Sequence, residues 1–458
     1  MRQEKDSMGV FDIPDDVYYG VQTARAIENF PISGIKADPD FIKASVYIKK
    51  AAAKVNAELN QLDKKLSEAI IKAADEVLSG KLSENFVVDV YQAGAGTSHN
   101  MNINEVLANR AVELLGGKKG DYKLVSPNDH VNCAQSTNDF FPTAIRLAAL
   151  IKSKDLLDVL DRCSKSFAEK GDKFFPIIKA GRTHLQDAVP VRLGREFQVY
   201  SRVLHDHKIR LENALAELKV LGIGGTAAGT GLNAHPQYQP KIVSELGKLT
   251  GFNLQVASDL MLAMQSMAPF VSVASALRNL ALDLTKICND LRLMDSGPTT
   301  GLSEIKLPAV QPGSSIMPGK VNPSMIEMMN QVCFQVIGCS TTVDYCSQAG
   351  QFELNVMMPV INFNLLHSIK IFTNALNVWN EKCIKGIIAN PERCKKYAES
   401  SLSNATALNP LIGYLQTAEV VKEAVATGKS IKEICLEKNL VEKTKLEEAL
   451  NLEKQVGK

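Results

Sequence analysis

Five long stretches with few helix-breaking residues constrain the fold of this chain most strongly. They cover roughly residues 139–170, 190–221, 258–295, 323–348 and 355–385. At about 1.5 Å per residue, helices of these lengths would be on the order of 40–55 Å long, whereas helices in globular proteins average about a dozen residues. The sequence therefore predicts an all-α fold with a central bundle of five long helices. Pro269 and Pro359 are expected to kink or start their helices, because proline removes a backbone N–H.

The last of these stretches is apolar around most of its circumference. The residues concerned are Val360, Ile361, Phe363, Leu365, Leu366, Ile369, Phe372 and Leu376. A helix that is apolar on nearly every side has to be buried from several directions. A single bundle of such helices would have apolar faces too extensive to cover alone. The pattern therefore favours an oligomer whose helical bundles pack together.

Breakers and changes in composition divide the chain into three predicted domains, residues 1–135, 136–391 and 392–458. The first is predicted to be helical after an irregular, polar arm, the second holds the long helices, and the third is rich in lysine and glutamate. Short amphipathic stretches in the third domain predict small helices there. One of them covers residues 415–426 and is expected to end at Gly428, since glycine commonly follows a helix C-terminus.

Local signals define the N-terminal domain further. Residues 1–37 are polar and interrupted by prolines and a glycine, which predicts the irregular arm. Asp38 followed by Pro39 is a helix start, with a capping side chain and a proline at the first turn. Two helices are expected between there and Gly80, and a third from about Asn102 to Leu115.

Composition limits the kinds of partner and compartment. The formal net charge of +2 argues against a strongly electrostatic nucleic-acid or membrane partner. The nine cysteines are scattered, without metal-binding spacing, which indicates a reducing compartment and no metal site. The opening sequence MRQEKDSMG lacks the apolar core of a signal peptide, and no apolar run approaches about 18 residues. We therefore expect a cytoplasmic protein without nucleic-acid or membrane partners.

The stretch Gly313–Asn322, GSSIMPGKVN, carries the strongest chemical signal. Two glycines and a proline exclude a continuous helix or strand, so this is a loop before the fourth long helix. It combines candidate reactive side chains at Ser314, Ser315, Lys320 and Asn322: a base or nucleophile, a cation and an amide. That set suits work on a carboxylate. A polar connector between two helices would have the same spacing, and spacing alone does not separate the two interpretations.

Three more polar clusters precede predicted helices. They are Gly94–Ser98 with Asn100 and Asn102, Ser136–Asn138, and Gly181–His184. Free backbone N–H groups and the helix dipole favour an anion at each such position. Each cluster alone is also explained by helix capping. Together with the loop they are rich in hydroxyl groups and lack acidic residues, which favours recognition of a dicarboxylate.

Two other features resemble functional motifs only superficially. Gly222–Gly231 is glycine-rich like a phosphate-binding loop, but it lacks the lysine of that motif and does not follow a predicted strand. It is interpreted as a turn that reverses a long helix. His205 and His207 have no acidic partner at metal-binding spacing, and both are expected on the surface of a helix.

The sequence GSSIMPGKVNP resembles the signature of the aspartase/fumarase superfamily. Similar segments follow one another along the whole chain: EKDSMG, YYGVQTARAIENFPISG, GAGTSHNMNINEVLANRA, HVNCAQSTND, GRTHLQDAVP, GGTAAGTGLN, NDLRLMDSGP and AGQFELNV. The resemblance implies three helical domains and a homotetramer in which the long helices of four subunits form a twenty-helix core. It also implies active sites that take segments from three subunits.

Details within these segments resemble the aspartase branch more than class II fumarases. Fumarases usually have SGT where this chain has Ala95-Gly96-Thr97, and SSN where it has Ser136-Thr137-Asn138. The YYGVQT segment also resembles aspartases. One departure is Met358, where the family pattern has a glutamate.

The resemblance implies an ammonia-lyase reaction, the cofactor-independent anti elimination that converts L-aspartate to fumarate and ammonia. Ser314 would be the base. The β-carboxylate ligands would be Thr97, Ser136, Thr137 and Ser315; the α-carboxylate ligands would be Thr183, Lys320 and Asn322, with His184 beside them; Asn138 would bind the amino group and Glu327 would orient His184. Two alternatives stay open: a class II fumarase, and a catalytically inactive structural homologue, against which the intact loop argues.

Overall fold

Helices make up most of the structure, a computed structural model that describes residues 1–456. The helices are α1 (Val21–Asn29), α2 (Pro39–Glu58), α3 (Lys64–Leu78), α4 (Thr97–Leu114), α5 (Thr137–Phe174), α6 (Leu193–Glu217), α7 (Tyr238–Thr250), α8 (Leu260–Gln265), α9 (Ala268–Met294), α10 (Ser324–Gln348), α11 (Met358–Lys382), α12 (Pro391–Ser400), α13 (Asn409–Ile412), α14 (Tyr414–Thr427), α15 (Ile431–Glu437), α16 (Lys443–Ala449) and α17 (Leu452–Gln455). The prediction of a mostly helical fold is confirmed.

Small strands accompany the helices, which the all-α prediction did not include. They are β1 (Arg2–Asp6), β2 (Gly9–Ile13), β3 (Ile178–Thr183), β4 (Gln186–Arg192), β5 (Val220–Leu221), β6 (Gln255–Val256), β7 (Ile305–Lys306) and β8 (Ile388–Ala389). They pair as β1–β2, β3–β4 and β7–β8, all antiparallel, and as the parallel pair β5–β6. Each pair is a separate two-stranded sheet, and the described residues contain no larger sheet.

The five predicted long helices correspond to α5, α6, α9, α10 and α11. Predicted stretch 258–295 is divided, because α8 ends at Gln265 and α9 begins at Ala268. Pro269 and Pro359 are the second residues of α9 and α11, so both start their helices as expected. A proline is tolerated there because the first N–H groups of a helix have no partner within it.

Residues 1–37 are ordered rather than irregular, so that prediction was wrong. Strands β1 and β2 form a hairpin, and α1 follows. The Arg2 guanidinium donates to the carbonyl oxygens of Pro14, Val17 and Tyr19, which fixes the hairpin to the segment before α1. The buried Glu105 carboxylate accepts hydrogen bonds from the first N–H groups of α1. A polar segment can thus be ordered by buried charged side chains.

Helices α2 and α3 lie within the predicted range, whereas α4 begins earlier than predicted. Asp38 caps α2 by accepting a hydrogen bond from the N–H of Asp40 at 3.0 Å, and Pro39 is the first helical residue. Helix α4 starts at Thr97, five residues before the predicted start at Asn102. Apolar side chains of the three helices form one buried cluster that includes Val46, Ile70, Ile103, Val106 and Leu107.

The chain divides into two compact units, each built from three separate segments. Unit 1 contains Met1–Leu157, Ile209–Ala281 and Phe334–Thr373; unit 2 contains Asp158–Lys208, Leu282–Cys333 and the residues from Asn374 on. Each of the five long helices contributes residues to both units. The three-domain division at residues 135 and 391 stays a prediction.

Helix α11 is buried to the extent that its composition predicted. Ile361, Leu365, Leu366, Ile369, Phe372 and Leu376 are at most 1% exposed. Val360 and Phe363 are half-buried. Met358, the departure from the family pattern, is the first residue of α11 and is fully buried. Much of the apolar circumference of this helix is therefore covered within one chain.

His207 is buried, so the prediction that both histidines lie on the surface was wrong for it. Its Nε2 lies 2.6 Å from the Asp283 carboxylate, which α9 provides, while His205 is exposed. In the C-terminal segment, α14 ends at Thr427 and Gly428 follows in a left-handed conformation, as predicted. No helix among residues 1–456 combines the length and apolarity needed to cross a membrane.

Candidate active site

The serine loop, residues Gly313–Asn322, is closed at its base by two hydrogen bonds. The N–H of Gly313 donates to the carbonyl oxygen of Lys320 at 2.7 Å. The side-chain amide of Asn322 donates to the carbonyl oxygen of Gly313, also at 2.7 Å. A Cβ on Gly313 would lie 2.6 Å from the Lys320 oxygen, so only glycine fits there. The prediction of a loop rather than a helix is confirmed.

Two backbone N–H groups point at the hydroxyl of Ser314. Its Oγ accepts hydrogen bonds from Ile316 N at 3.2 Å and from Met317 N at 2.9 Å. Since the oxygen is the acceptor in both, the hydroxyl proton is left for another partner. The same two donors would stabilise negative charge on Oγ if that proton were lost. The local backbone therefore suits a serine that acts as a base.

The other polar side chains of the loop face solvent. Ser315 and Lys320 are exposed, and Asn322 is half-buried because one of its N–H groups closes the loop. Among residues 1–456, Lys320 has no ion-pair partner. A lysine without a carboxylate partner is a free cation for a bound anion.

Thr183 and His184 lie at the tip of a β-hairpin, and not at a helix start as we expected. Thr183 is the last residue of β3, and His184 and Leu185 form the turn to β4. Both turn residues have left-handed backbones, with φ of 57° and 59°. Such a conformation costs roughly 1–2 kcal/mol for a residue with a side chain. The turn places Thr183 and His184 in an exposed position.

Buried charges hold this hairpin in place. The Glu304 carboxylate is fully buried and lies 2.8 Å from both the Arg182 guanidinium and the Lys179 ammonium, which β3 provides. Lys179 also lies 3.1 Å from Glu196 on α6. Removing one partner of such a buried group is strongly destabilising. Glu304 therefore anchors the strand that ends at Thr183.

Thr97 is the first residue of α4 and is exposed. The two residues before it have left-handed backbones, with φ of 62° at Ala95 and 88° at Gly96. A Cβ on Gly96 would lie 2.0 Å from the ring of Phe141, so this position requires glycine. Backbone outliers of this kind are concentrated at functional sites.

Ser136, Thr137 and Asn138 form the capped start of α5. Asn138 N donates to Ser136 Oγ at 3.2 Å, and the Asn138 side-chain amide donates to the Ala227 carbonyl at 2.8 Å. The Thr137 hydroxyl oxygen accepts a hydrogen bond from the Asn100 amide at 3.0 Å. All three side chains are half-buried. Thr97 and Thr137 are thus linked by the first turn of α4, which carries Asn100.

Asp139 is a residue whose structural role the sequence analysis missed. It is buried, and its carboxylate accepts hydrogen bonds from the N–H groups of Ser136, Gly224 and Thr226 at 2.9–3.0 Å. Burial raises the pKa of this carboxyl to about 6, against the opposing effect of those N–H donors. The glycine-rich segment Gly222–Gly231 is therefore a support for the start of α5. The acid directly after Ser-Thr-Asn was the available signal.

The predicted residues fall into two groups. Thr97, Ser136, Thr137 and Asn138 belong to unit 1, whereas Thr183, His184, Ser314, Ser315, Lys320, Asn322 and Glu327 belong to unit 2. Glu327 lies in the first turn of α10, and no hydrogen bond joins it to His184 within residues 1–456. Its predicted role towards His184 stays a prediction. Residues 1–456 contain no cluster of three or more His, Cys, Asp or Glu side chains that would hold a metal ion.

Comparison with known proteins identifies the class. A family model described as Lyase matches residues 9–338, and a model described as Fumarase C C-terminus matches residues 405–456. The chain therefore belongs to the lyase family that the sequence signature indicated, the aspartase/fumarase superfamily.

Individual relatives match over the full length. The chain is 51% identical to an aspartate ammonia-lyase of a Bacillus species, over 98% of this chain and 96% of the relative. It is similar to the crystal structure of a fumarate lyase/delta-crystallin protein from Brucella melitensis bound to cobalt, with 46% identity, a TM-score of 0.95 and 98% coverage of each chain. A class II fumarase from Schistosoma mansoni gives 35% identity and a TM-score of 0.97, over 100% of this chain and 99% of the fumarase.

Proposed function

We propose that this chain is an aspartate ammonia-lyase, which converts L-aspartate to fumarate and ammonia in a reversible anti elimination. The observation that carries the proposal is the 51% identity to an aspartate ammonia-lyase over nearly the whole length of both chains. The class II fumarase matches at 35% identity. The differences at Ala95-Gly96-Thr97 and Ser136-Thr137-Asn138 favour the same branch of the superfamily.

The difficult step is removal of a proton from the carbon beside the β-carboxylate. The electrons of that C–H bond pass into the carboxylate, which gains a second negative charge, so hydrogen-bond donors aimed at this group are the main requirement. The carbon–nitrogen bond then breaks, the double bond of fumarate forms, and the substrate ammonium leaves as ammonia. The proton removed from carbon passes to the base.

Ser314 is the base in this proposal. A serine is a weak base unless its alkoxide is stabilised. The N–H groups of Ile316 and Met317, at 3.2 and 2.9 Å from its Oγ, support such stabilisation. Lys320 carries a further positive charge on the same loop. No cofactor takes part in the proposed reaction.

The remaining site residues hold the substrate. In this proposal Thr97, Ser136, Thr137 and Ser315 bind the β-carboxylate, Thr183, Lys320 and Asn322 bind the α-carboxylate with His184 beside them, Asn138 binds the amino group, and Glu327 orients His184. Their exposed or half-buried hydroxyl and amide groups and the free Lys320 support these roles. All of them except Glu327, which acts on His184, can donate a hydrogen bond to a dicarboxylate.

The proposed assembly is a homotetramer with active sites shared among three subunits. Large apolar side chains on three of the long helices support it, because they stay exposed in the single chain: Leu282 on α9 is 53% exposed, Phe334 on α10 is 58% exposed, and Tyr345 on α10 is 66% exposed. Val199 on α6 is 50% exposed. Burial of these side chains against other subunits would remove apolar surface from water, which favours association. The nine free thiols fit a cytoplasmic location.

The test is direct. Purified protein is incubated separately with L-aspartate and with L-malate, and fumarate formation is followed by its ultraviolet absorbance. Rapid fumarate formation from L-aspartate alone is the expected result. Formation from L-malate alone would identify a fumarase instead, and no product from either substrate would identify an inactive homologue.

A further inference from the structure

Asn132 joins three side chains beneath the start of α5. Its Oδ1 accepts hydrogen bonds from Lys49 Nζ at 2.9 Å and from the amide nitrogens of Asn100 and Asn104 at 3.2 Å each. Its own amide nitrogen donates to the carbonyl oxygen of Gln135 at 3.1 Å. Lys49, Asn100 and Asn104 are each at most 2% exposed. All five residues belong to unit 1.

Two neighbours determine which way the Asn132 amide points. The carbonyl oxygen of Gln135 can only accept a hydrogen bond, and it accepts one from the amide nitrogen of Asn132 at 3.1 Å. Within residues 1–456, Lys49 donates only to Asn132 Oδ1 and Gln135 Oε1, both at 2.9 Å, and it has no carboxylate in ion-pair contact. An Asn132 amide turned the other way would place its oxygen against the Gln135 carbonyl oxygen and its N–H groups against the Lys49 amine. The oxygen of Asn132 therefore faces Lys49 and α4.

The orientation of Asn132 determines that of Asn100 in turn. Since Asn132 presents an oxygen, Asn100 has to present its nitrogen, and that nitrogen also donates to Thr137 Oγ1 at 3.0 Å. The Asn100 Oδ1 is left buried without a partner. The Thr137 oxygen is thereby used as an acceptor. Its single proton has no acceptor among residues 1–456 and stays available to a ligand.

We propose that Asn100 is a positioning residue that commits the hydroxyl proton of Thr137 to the substrate. This inference rests on the proposed function, in which Thr137 binds the β-carboxylate. That carboxylate gains negative charge in the transition state, so a hydroxyl already oriented as a donor stabilises the transition state more than one that has to reorient. The Gln135 carbonyl fixes the orientation of the Asn132 amide, the Asn132 oxygen fixes that of Asn100, and Asn100 donates to the Thr137 hydroxyl.

Asn104 provides a matched control. It lies one turn from Asn100 on α4, is equally buried, and donates to the same oxygen of Asn132 at the same distance of 3.2 Å. It also has a buried, unpartnered Oδ1. Unlike Asn100, it makes no hydrogen bond to Thr137. Replacing either residue removes one hydrogen bond to Asn132, but only one replacement changes the Thr137 hydroxyl.

The experiment is a double-mutant cycle on kcat/KM for L-aspartate. The variants are Asn100→Leu, Thr137→Val, the double variant and Asn104→Leu, each checked for thermal unfolding. We expect Asn100→Leu and Thr137→Val each to lower kcat/KM by roughly ten- to a hundredfold. The double variant should be within about threefold of Thr137→Val, because Asn100 acts only through that hydroxyl. Asn104→Leu should stay within about threefold of the wild type.

Two results would overturn the proposal: multiplicative losses in the double variant, or an equal loss from Asn104→Leu. If Asn100→Leu does not fold, Asn100→Asp replaces it, since a carboxylate keeps the shape but accepts the Thr137 proton. Wild-type activity on L-aspartate is measured first, so failure of the proposed function is seen before any variant is compared. If the wild type turns over L-malate instead, the double-mutant cycle is measured on L-malate. If it turns over neither substrate, the cycle is measured on the affinity for fumarate. Absence of fumarate binding by the wild type would overturn both proposals.

Discussion

Gly313 and Asn322 meet at the base of the serine loop, where the Asn322 side-chain amide donates to the Gly313 carbonyl oxygen across 2.7 Å. The N–H of Gly313 is also used, by the carbonyl oxygen of Lys320. The loop thus has a defined shape although most of its side chains are exposed. Its geometry depends on backbone contacts at its base rather than on burial.

Replacing Gly313 should therefore inactivate the enzyme without unfolding it. In Gly313→Ala the new Cβ would lie 2.6 Å from the Lys320 carbonyl oxygen and 2.7 Å from Asn322 N, so the base of the loop has to open. Displacement of reacting groups by about 1 Å can cost on the order of a hundredfold in rate. We expect at least that loss in kcat/KM, with little change in the melting temperature. Steady-state kinetics measure kcat/KM, and calorimetry measures the melting temperature.

Gly319→Ala is the control for this change. Gly319 has a φ of 81° but no atom within 4 Å of an added Cβ. Only the left-handed strain of roughly 1–2 kcal/mol applies there. A smaller loss of kcat/KM is expected than for Gly313→Ala. Equal losses would mean that the contacts at the base of the loop do not determine its geometry.

Ser314→Ala should abolish the chemistry and leave the fold intact. Among residues 1–456, the Ser314 hydroxyl is hydrogen-bonded only to two N–H groups of its own loop, and water can replace it there. We expect a near-normal melting temperature and a kcat several orders of magnitude lower, because the proposed base is removed. Ser315→Ala, at the neighbouring exposed hydroxyl, should lose much less. Activity above about a tenth of the wild type in Ser314→Ala would exclude this serine as the base.

Lys320→Ala should raise KM and lower kcat together. The exposed ammonium has no carboxylate partner within residues 1–456, so it is available both to the substrate carboxylate and to the charge on the Ser314 oxygen. Steady-state kinetics with L-aspartate separate the two parameters. Lys306→Ala, at an exposed lysine on β7, is the control and should change neither. An unchanged KM in Lys320→Ala would contradict a role in carboxylate binding.

Shared active sites predict complementation between inactive chains. In the proposed homotetramer, Thr183→Ala and Ser314→Ala would each spoil every site. If the two residues of one site come from different subunits, mixed tetramers made by co-expression contain some intact sites. Activity should return to at most about a quarter of the wild-type value if the chains assort independently. A fully active monomer, detected by light scattering and dilution kinetics, would rule out the shared site.

His99 predicts how stability depends on pH. Its ring is buried, stacks on Phe41 at 4.5 Å and lies 3.0 Å from the Ser45 hydroxyl. Burial lowers the pKa of His99 to about 3, from an ordinary value of 6.5. The folded state therefore binds this proton less well than the unfolded state. The contribution of neutral His99 to the free energy of unfolding is complete above pH 6.5 and is lost as the pH falls from 6.5 towards 3.

The expected slope in that window is about 1.4 kcal/mol of unfolding free energy per pH unit. Between pH 7.5 and pH 5.0 the wild type should lose about 2 kcal/mol more than a His99→Gln variant, since the loss begins near pH 6.5. Urea unfolding at the two pH values measures the difference. Equal losses of unfolding free energy in the wild type and the variant would mean that other titrating groups determine the pH dependence.

The sequence predicted the helices well where a chemical signal marked their ends. Asp38 and Pro39 at the start of α2, Pro359 at the start of α11 and Gly428 after α14 act through local backbone chemistry. The β3–β4 hairpin had no such signal. Its turn residues, His184 and Leu185, adopt left-handed conformations that a sequence pattern would assign to asparagine or glycine.

The supports of the candidate site were less predictable than its polar loops. Lys49 and Asn132 are far apart in the sequence, as are Arg182 and Glu304, and each pair meets only after folding. His207 was misplaced for the same reason, because its partner Asp283 comes from another helix. Periodicity reports which face of a helix is apolar; it does not report which buried polar side chains will meet.

The interleaving of the two units along the chain affects how the protein is made. Unit 1 requires a segment that ends at Thr373, and unit 2 requires residues from Asn374 on. At roughly 5–20 residues per second, a ribosome needs tens of seconds to reach Thr373. Helices such as α5 must wait during that time with apolar surface uncovered. Neither unit can therefore be completed before the segment around Thr373 has been made, and until then the nascent chain exposes apolar helix faces that make it prone to aggregation.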